Sequence, residues 1–283
     1  MDSSDINAAG RIPSRAAGLL ARSASHAVRR GATADDGAGK VDADALGAPI
    51  DATRRPSMGE AVYQRLRDAI LNVQLLPNAV LPENELAKTL HVSRTPVREA
   101  IQKLCGEGLV QVVPQVGTFV ARMDLARIRE AMFLREAVEC TAMSRLAKKL
   151  PDAAIDRLRE IVAAHSRAVK DRDLENTLAS DEAFHRYLLE IAGVPGAWRY
   201  VLEARDSHRR VRVLSHSQFN SAHRSVVQHS QMVDELAAGR TAKSVRLLRE
   251  HIRMNALFAE EISRAYPTYF TQPSATDDVE PAQ

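Results

Sequence analysis

Four residues of metal-ligating type interrupt otherwise apolar helical rows: Asp181, His185, His229 and His251. Asp181 and His185 stand one turn apart on the row Leu174, Leu178, Asp181, His185, Leu188, Ala192. His229 falls on the row Ala222, Val226, Val233, Leu236, and His251 on the row Leu248, Asn255, Phe258, Ile262. His229 lies ten residues before Gly239 and His251 twelve after it. At about 1.5 Å of rise per residue these distances are roughly 15 and 18 Å, so an antiparallel pair of helices would set both imidazoles at one height. A carboxylate facing a bundle interior is costly without a partner. One carboxylate with three neutral imidazoles is a ligand set suited to Zn²⁺, with Ni²⁺ or Mn²⁺ as alternatives, and it leaves positions open for a ligand carboxylate or water. The plain alternative is a set of core histidines, with Asp181 simply paired to His185.

Arg135 and Glu139 are a further pair out of place, on the row Ile128, Met132, Arg135, Glu139, Ala142, Leu146. They form either an ordinary intrahelical ion pair or an effector site, since a guanidinium grips a carboxylate through two parallel hydrogen bonds.

A different chemistry is carried by Ser93, Arg94, Thr95 and Arg98. They open a helix whose inward stripe is Val97, Ile101 and Leu104, preceded by a short helix with Leu86, Ala87 and Leu90 inward. Val92 plugs the turn between the two. Arginines early on the second helix of such a motif reach base edges in the major groove, while hydroxyls and free first-turn N–H groups suit phosphates. Two β-rich pieces follow, Leu109–Val113 and Thr118–Ala121, turned by 114–117, as a wing would be. Six Lys/Arg and six Asp/Glu fall within 58–121, so local placement and not bulk charge must carry any DNA reading.

The elements that position these groups divide the chain. Residues 1–57 are Ala-, Gly- and Ser-rich without a sustained period and read as a disordered tail. Residues 58–122 read as the winged helix-turn-helix, and 123–265 as an all-helical metal- and effector-binding, dimerising domain. Its helices are expected at about 124–149, 152–171, 174–192, 196–215, 218–238 and 241–264, broken at Pro151, at Gly193 to Gly196 and at Gly239. Residues 266–283 read as a loose tail. The fold class is mainly α.

At 283 residues and 45% hydrophobic content, two cores can be built. Cys105 and Cys140 show neither CxxC nor zinc-finger spacing, so a disulfide framework is not expected and a reducing cytoplasm is the default location. No run of 18 apolar residues suggests a membrane span, and no apolar signal core opens the chain.

The run Val92-Ser93-Arg94-Thr95-Pro96-Val97-Arg98-Glu99-Ala100-Ile101, with Leu86-Ala87 before it and Glu107-Gly108-Leu109-Val110 and Gly117-Thr118-Phe119-Val120 after it, resembles the GntR family of bacterial regulators. That resemblance implies DNA contacts at Ser93, Arg94, Thr95, Pro96, Arg98 and Gly117. Arg135-x-x-x-Glu139, Asp181-x-x-x-His185 and the pair His229 and His251 are similar to the FCD ligand-binding domain of the FadR and VanR branches. This second resemblance implies a helical bundle, a divalent metal on Asp181, His185, His229 and His251, and an organic-acid-type effector meeting Arg135 and Glu139. It also implies a homodimer on double-stranded operator DNA. Two other readings stay open on the residues alone: a metal-dependent hydrolase using the Asp/His cluster, and a DNA-binding regulator without a ligand.

Overall fold

The computed structural model of the chain describes residues 43–46, 57–146, 150–218 and 221–272. The DNA-reading half is built from α1 (Ala43–Leu46), α2 (Met58–Leu71), α3 (Glu83–Thr89) and α4 (Arg94–Gly106), then strands β1 (Val110–Val113) and β2 (Gly117–Val120). Leu66, Ile70, Leu86, Leu90, Val97 and Leu104 pack as one buried core, because each helix keeps its apolar residues on a single stripe. The αL conformation at His91 (φ 56°) turns α3 into α4 within a few residues, and Val92 packs on the core from that turn.

The strands pair antiparallel, Val110 opposite Val120 and Val113 opposite Gly117. The segment before α3 adds to this ribbon: Leu81 N donates to Thr118 O at 2.7 Å and Val120 N to Ala79 O at 2.9 Å. The wing is therefore tied to the helices on one side and carries its turn, Pro114 to Val116, into solvent.

The second half is helical: α5 (Leu125–Ser144), α6 (Asp152–Asp171), α7 (Leu174–Ile191), α8 (Trp198–Gln218), α9 (Ser221–Ala237) and α10 (Thr241–Ala265). Local signals set the ends. Asp124 caps α5, its carboxylate accepting from Ala126 N at 2.9 Å, and Asp173 caps α7, accepting from Asn176 N at 3.0 Å. Gly239 (φ 72°) supplies the left-handed residue that folds α9 back on α10. α5 packs against α10 and α8, and α6 against α7 and α9. Pro195 opens a short 3₁₀ turn, Pro195–Ala197, so α8 begins two residues later than expected and runs on to Gln218. α5 ends at Ser144, short of the expected 149; residues 147–149 lie outside the described residues. No helix among the described residues is long and apolar enough to cross a membrane.

Both expected tails need correction where they are described. Within 1–57, Leu46 of α1 is buried in the core of the DNA-reading half, and its carbonyl accepts from Arg65. Most of that stretch lies outside the described residues. Within 266–283, Pro267–Tyr269 form a 3₁₀ turn, and Tyr269 and Phe270 are buried with Met123, Ile128, Val211 and Ile262. Met123 N donates to Tyr269 O at 2.8 Å and Thr271 N to Met123 O at 2.9 Å. Aromatic burial together with two backbone bonds outweighs the turn-forming Pro267. Phe270→Ala should lower unfolding free energy by about 3–5 kcal/mol, as for a buried aromatic truncation, when measured by urea denaturation.

Candidate functional site

α7, α9 and α10 each carry one face into the bundle interior, and those faces bring Asp181, His185, His229 and His251 together. All four are buried, and one ligand atom from each lies within 4.8 Å of the others. His185 Nε2 is 4.0 Å and His229 Nε2 is 3.8 Å from the Asp181 carboxylate. The ring centroids of His229 and His251 are 4.8 Å apart, and those of His185 and His251 5.3 Å. The hairpin turning at Gly239 thus sets the two imidazoles level.

A surrounding layer fixes each ring. Glu139 of α5 hydrogen-bonds His185 Nδ1 and accepts from Arg135 Nε at 2.7 Å. His251 Nδ1 lies 3.0 Å from Gln228 Oε1 and donates to it, since the amide oxygen can only accept. Phe184 stacks on His229 with centroids 4.0 Å apart and planes 13° from parallel. These contacts leave Nε2 of His185 and of His251 facing the cluster. Among the described residues, no group hydrogen-bonds Nε2 of His185, His229 or His251.

Electrostatics point the same way. Burial disfavours the Asp181 charge, but Arg212 and Arg205 outweigh it and hold the carboxyl well below the usual carboxylate range. Arg205 and Arg212 both reach Oδ2, Arg212 at 2.8 Å. Burial likewise opposes Glu139, yet Arg135 and His185 beside it keep it ionised. For His229 and His251, burial first and neighbouring imidazoles second push the pKa well below its ordinary value, so both rings are neutral with lone pairs to give. His185 moves in the same direction, burial again leading.

The residues therefore fit a divalent cation. Ligand bonds of about 2.0–2.2 Å require ligand atoms roughly 3–4.4 Å apart, close to the separations found. Several buried nitrogens otherwise lack partners, which is costly in a core.

Glu139 does not meet the expectation of an effector contact. Its two oxygens are committed to Arg135 and His185, so it orients those groups. Arg135 is 1% exposed, and its Nη1 stands 3.4 Å from His208 Nε2. Sequence reasoning missed His165, His208, Arg205 and Arg212. His165 lies with its ring centroid 5.4 Å from that of His229. The other three lie along one face of α8. A phase count would have found Arg205, His208 and Arg212 on the stripe of Val201, Ala204, Val211 and Ser215, which are buried.

In the DNA-reading half, Ser93, Arg94, Thr95 and Arg98 are exposed at the start of α4. Ser93 is the N-cap, but its hydroxyl bonds no helix N–H. Arg98 Nε donates to Glu83 at 2.7 Å across a solvated surface. Gly117 is half-buried behind the wing turn at φ 151°, a conformation open to glycine, while Val116 at the turn is 71% exposed. Pro96 is a correction. It is buried, because it precedes Ala100 and Leu104 by four and eight residues and shares their inward face. It shapes the first turn of α4 and does not present itself to a duplex.

The model for the bacterial regulatory proteins of the gntR family matches residues 58–120, and that for the FCD domain matches residues 130–254. An HTH-type transcriptional regulator in an unstable DNA locus of Streptomyces ambofaciens is 39% identical over 215 residues, which cover 76% of this chain and 90% of that protein. The chain belongs to the gntR family. It is a DNA-binding transcriptional regulator with an FCD domain, and the hydrolase reading is set aside. This regulator is also similar to the HTH-type transcriptional repressor RspR of Escherichia coli, at 26% identity over 76% of this chain and 94% of that one. A GntR transcriptional regulator from Rhodococcus sp. RHA1, known as a crystal structure, aligns at 26% identity and a TM-score of 0.57, covering 71% of this chain and 97% of the other.

Because Glu139 fixes the tautomer of His185, Glu139→Gln should weaken Zn²⁺ binding by about 10–100-fold while leaving helix content unchanged. Chelator competition with a coloured zinc indicator measures it; wild-type affinity in the variant would contradict the orienting role.

Proposed function

We propose that this regulator senses a small organic acid at a divalent-metal centre of Asp181, His185, His229 and His251, and that the bound acid alters its hold on operator DNA. One observation carries the reading: three buried imidazole nitrogens without hydrogen-bond partners, gathered around an ionised carboxylate. The borderline donor set favours Zn²⁺, with Ni²⁺ or Mn²⁺ acceptable. A divalent ion held there supplies positive charge and open positions for an acid's oxygens. Arg135 stands beside the cluster as a second point of attachment for such an acid.

DNA contact falls to Ser93, Arg94, Thr95 and Arg98 at the exposed start of α4, with Gly117 behind the wing turn. A homodimer matches a two-fold operator, each copy placing one α4 in the major groove.

α8 gives the two halves a shared element. Arg205, His208 and Arg212 point toward the Asp181 cluster. From an adjoining face of the same helix, Asp206 pairs with Arg67, Arg209 Nη2 donates to Asn72 at 3.1 Å, and Arg210 Nη1 donates to Ala121 O at 2.6 Å. At 3.6 residues per turn the two sets are separated by about a third of a turn. A shift of α8 on ligand binding therefore bears on α2 and on the base of the wing. Only an acid that prefers one of two arrangements changes DNA affinity.

A gel-shift titration with an operator fragment, metal loaded, tests the reading. Arg94→Ala should weaken binding by about 1–3 kcal/mol and relax base preference at one position. An organic acid should change wild-type affinity only when the metal is present; an acid effect that survives chelation would contradict the proposed site.

A further inference from the structure

Arg210 is a buried cation without a counter-charge. It is 5% exposed, and its Nη1 donates to Ala121 O at 2.6 Å. Among the described residues its Nε and Nη2 make no hydrogen bond, Nε from an enclosed position. Burial alone moves its pKa, down to about 10, and no carboxylate stands close enough to offset that burial. The guanidinium therefore keeps its charge at neutral pH.

Arg210 lines a cleft of about 760 Å³ bounded by α8, the start of α5 and the end of α4. That volume lies within the roughly 300–1,000 Å³ of small-molecule sites. Two more guanidiniums line it without an ion pair among the described residues: Arg122, on the link from the wing, and Arg127, in the first turn of α5. Arg127 reaches the DNA-reading half, since a Cβ at Gly108 (φ 70°) would stand 3.2 Å from its Nη1. The carboxylates of the cleft are engaged elsewhere or solvated. Arg67 holds Glu107 and Asp206, Asp124 caps α5, and Glu203 is exposed. Arg199, the remaining arginine of the wall, is turned onto Tyr200. Five guanidiniums and four carboxylates come near to balance in sum, yet Arg122, Arg127 and Arg210 have no carboxylate of their own.

A carboxylate is planar, and one guanidinium fork satisfies it. A phosphate offers acceptor oxygens in three directions, which suits arginines from three segments. Glu203 and Ser207, exposed on the same wall, can hydrogen-bond hydroxyl groups. We propose that this cleft binds a phosphomonoester of a small hydroxylated molecule, its phosphate gripped by Arg122, Arg127 and Arg210, and so fixes the DNA-reading half against the helical half. The site is separate from the Asp181 cluster and needs no metal. The operator's own backbone is the poorer occupant. The DNA-reading residues open α4 while the cleft touches its last residue, Gly106, and the 13 residues of α4 span about 20 Å.

Calorimetric titration of the full chain with glycerol 3-phosphate tests this, with succinate as the comparison anion and chloride holding the ionic strength constant. Glycerol 3-phosphate should bind, and Arg210→Gln should weaken it by about tenfold or more, as loss of a charge-assisted bond implies. Arg127 is exposed, so Arg127→Gln should fold as the wild type does by circular dichroism and weaken binding likewise. The ligand should bind both the free protein and its operator complex, with different affinities. No binding by the wild type, or unchanged affinity in a folded variant, overturns the site. Succinate affinity that falls as far as that of glycerol 3-phosphate in both variants overturns the phosphate assignment. Stoichiometric displacement of the ligand by operator duplex gives the cleft to the DNA backbone and overturns the small-molecule reading.

Discussion

The bundle is organised around a carboxylate kept ionised where water cannot reach it. Asp181 has Arg205 and Arg212 on one oxygen and an imidazole facing the other. Isolated, such a charge would be expelled or neutralised; with two guanidiniums beside it, it is held. The rest follows from satisfying that arrangement. Glu139 balances Arg135 and turns His185, Gln228 turns His251, and Phe184 covers His229. Every helix from α5 to α10 contributes a group to this interior, His165 being the share of α6.

This concentration of charge accounts for the role of α8. A helix whose arginines both hold the cluster and grip the DNA-reading half cannot move for one without consequence for the other. The covalent link from the wing into α5, which meets the site through Arg135 and Glu139, is a second route, whereas α8 reaches both halves directly through side chains.

Much of this was legible in the sequence for a physical reason. Asp181, His185, His229 and His251 are polar residues at fixed phase on apolar rows, and the turn at Gly239 converts sequence distance into height. The winged helix-turn-helix was carried by short, strongly patterned elements. The inward residues of α8 escaped because the helix holds five arginines, three of them turned elsewhere than toward Asp181, and residue type alone does not separate buried guanidiniums from solvated ones. Pro96 was carried over as a DNA contact from a family resemblance, although its spacing to Ala100 and Leu104 already placed it inward. The end of the chain was judged by Pro267 and its acidic residues, while Tyr269 and Phe270 carried the apolar area that decides docking.

The central claim is that four side chains form one metal centre. X-ray absorption at the zinc edge, on protein isolated without chelator or affinity tag and reconstituted with one equivalent of Zn²⁺, addresses it most directly. The account predicts an imidazole-dominated first shell of nitrogen and oxygen at about 2.0–2.2 Å, with no sulfur. A shell containing Cys105 or Cys140 sulfur at about 2.3 Å, or zinc bound only by solvent oxygens, would contradict it.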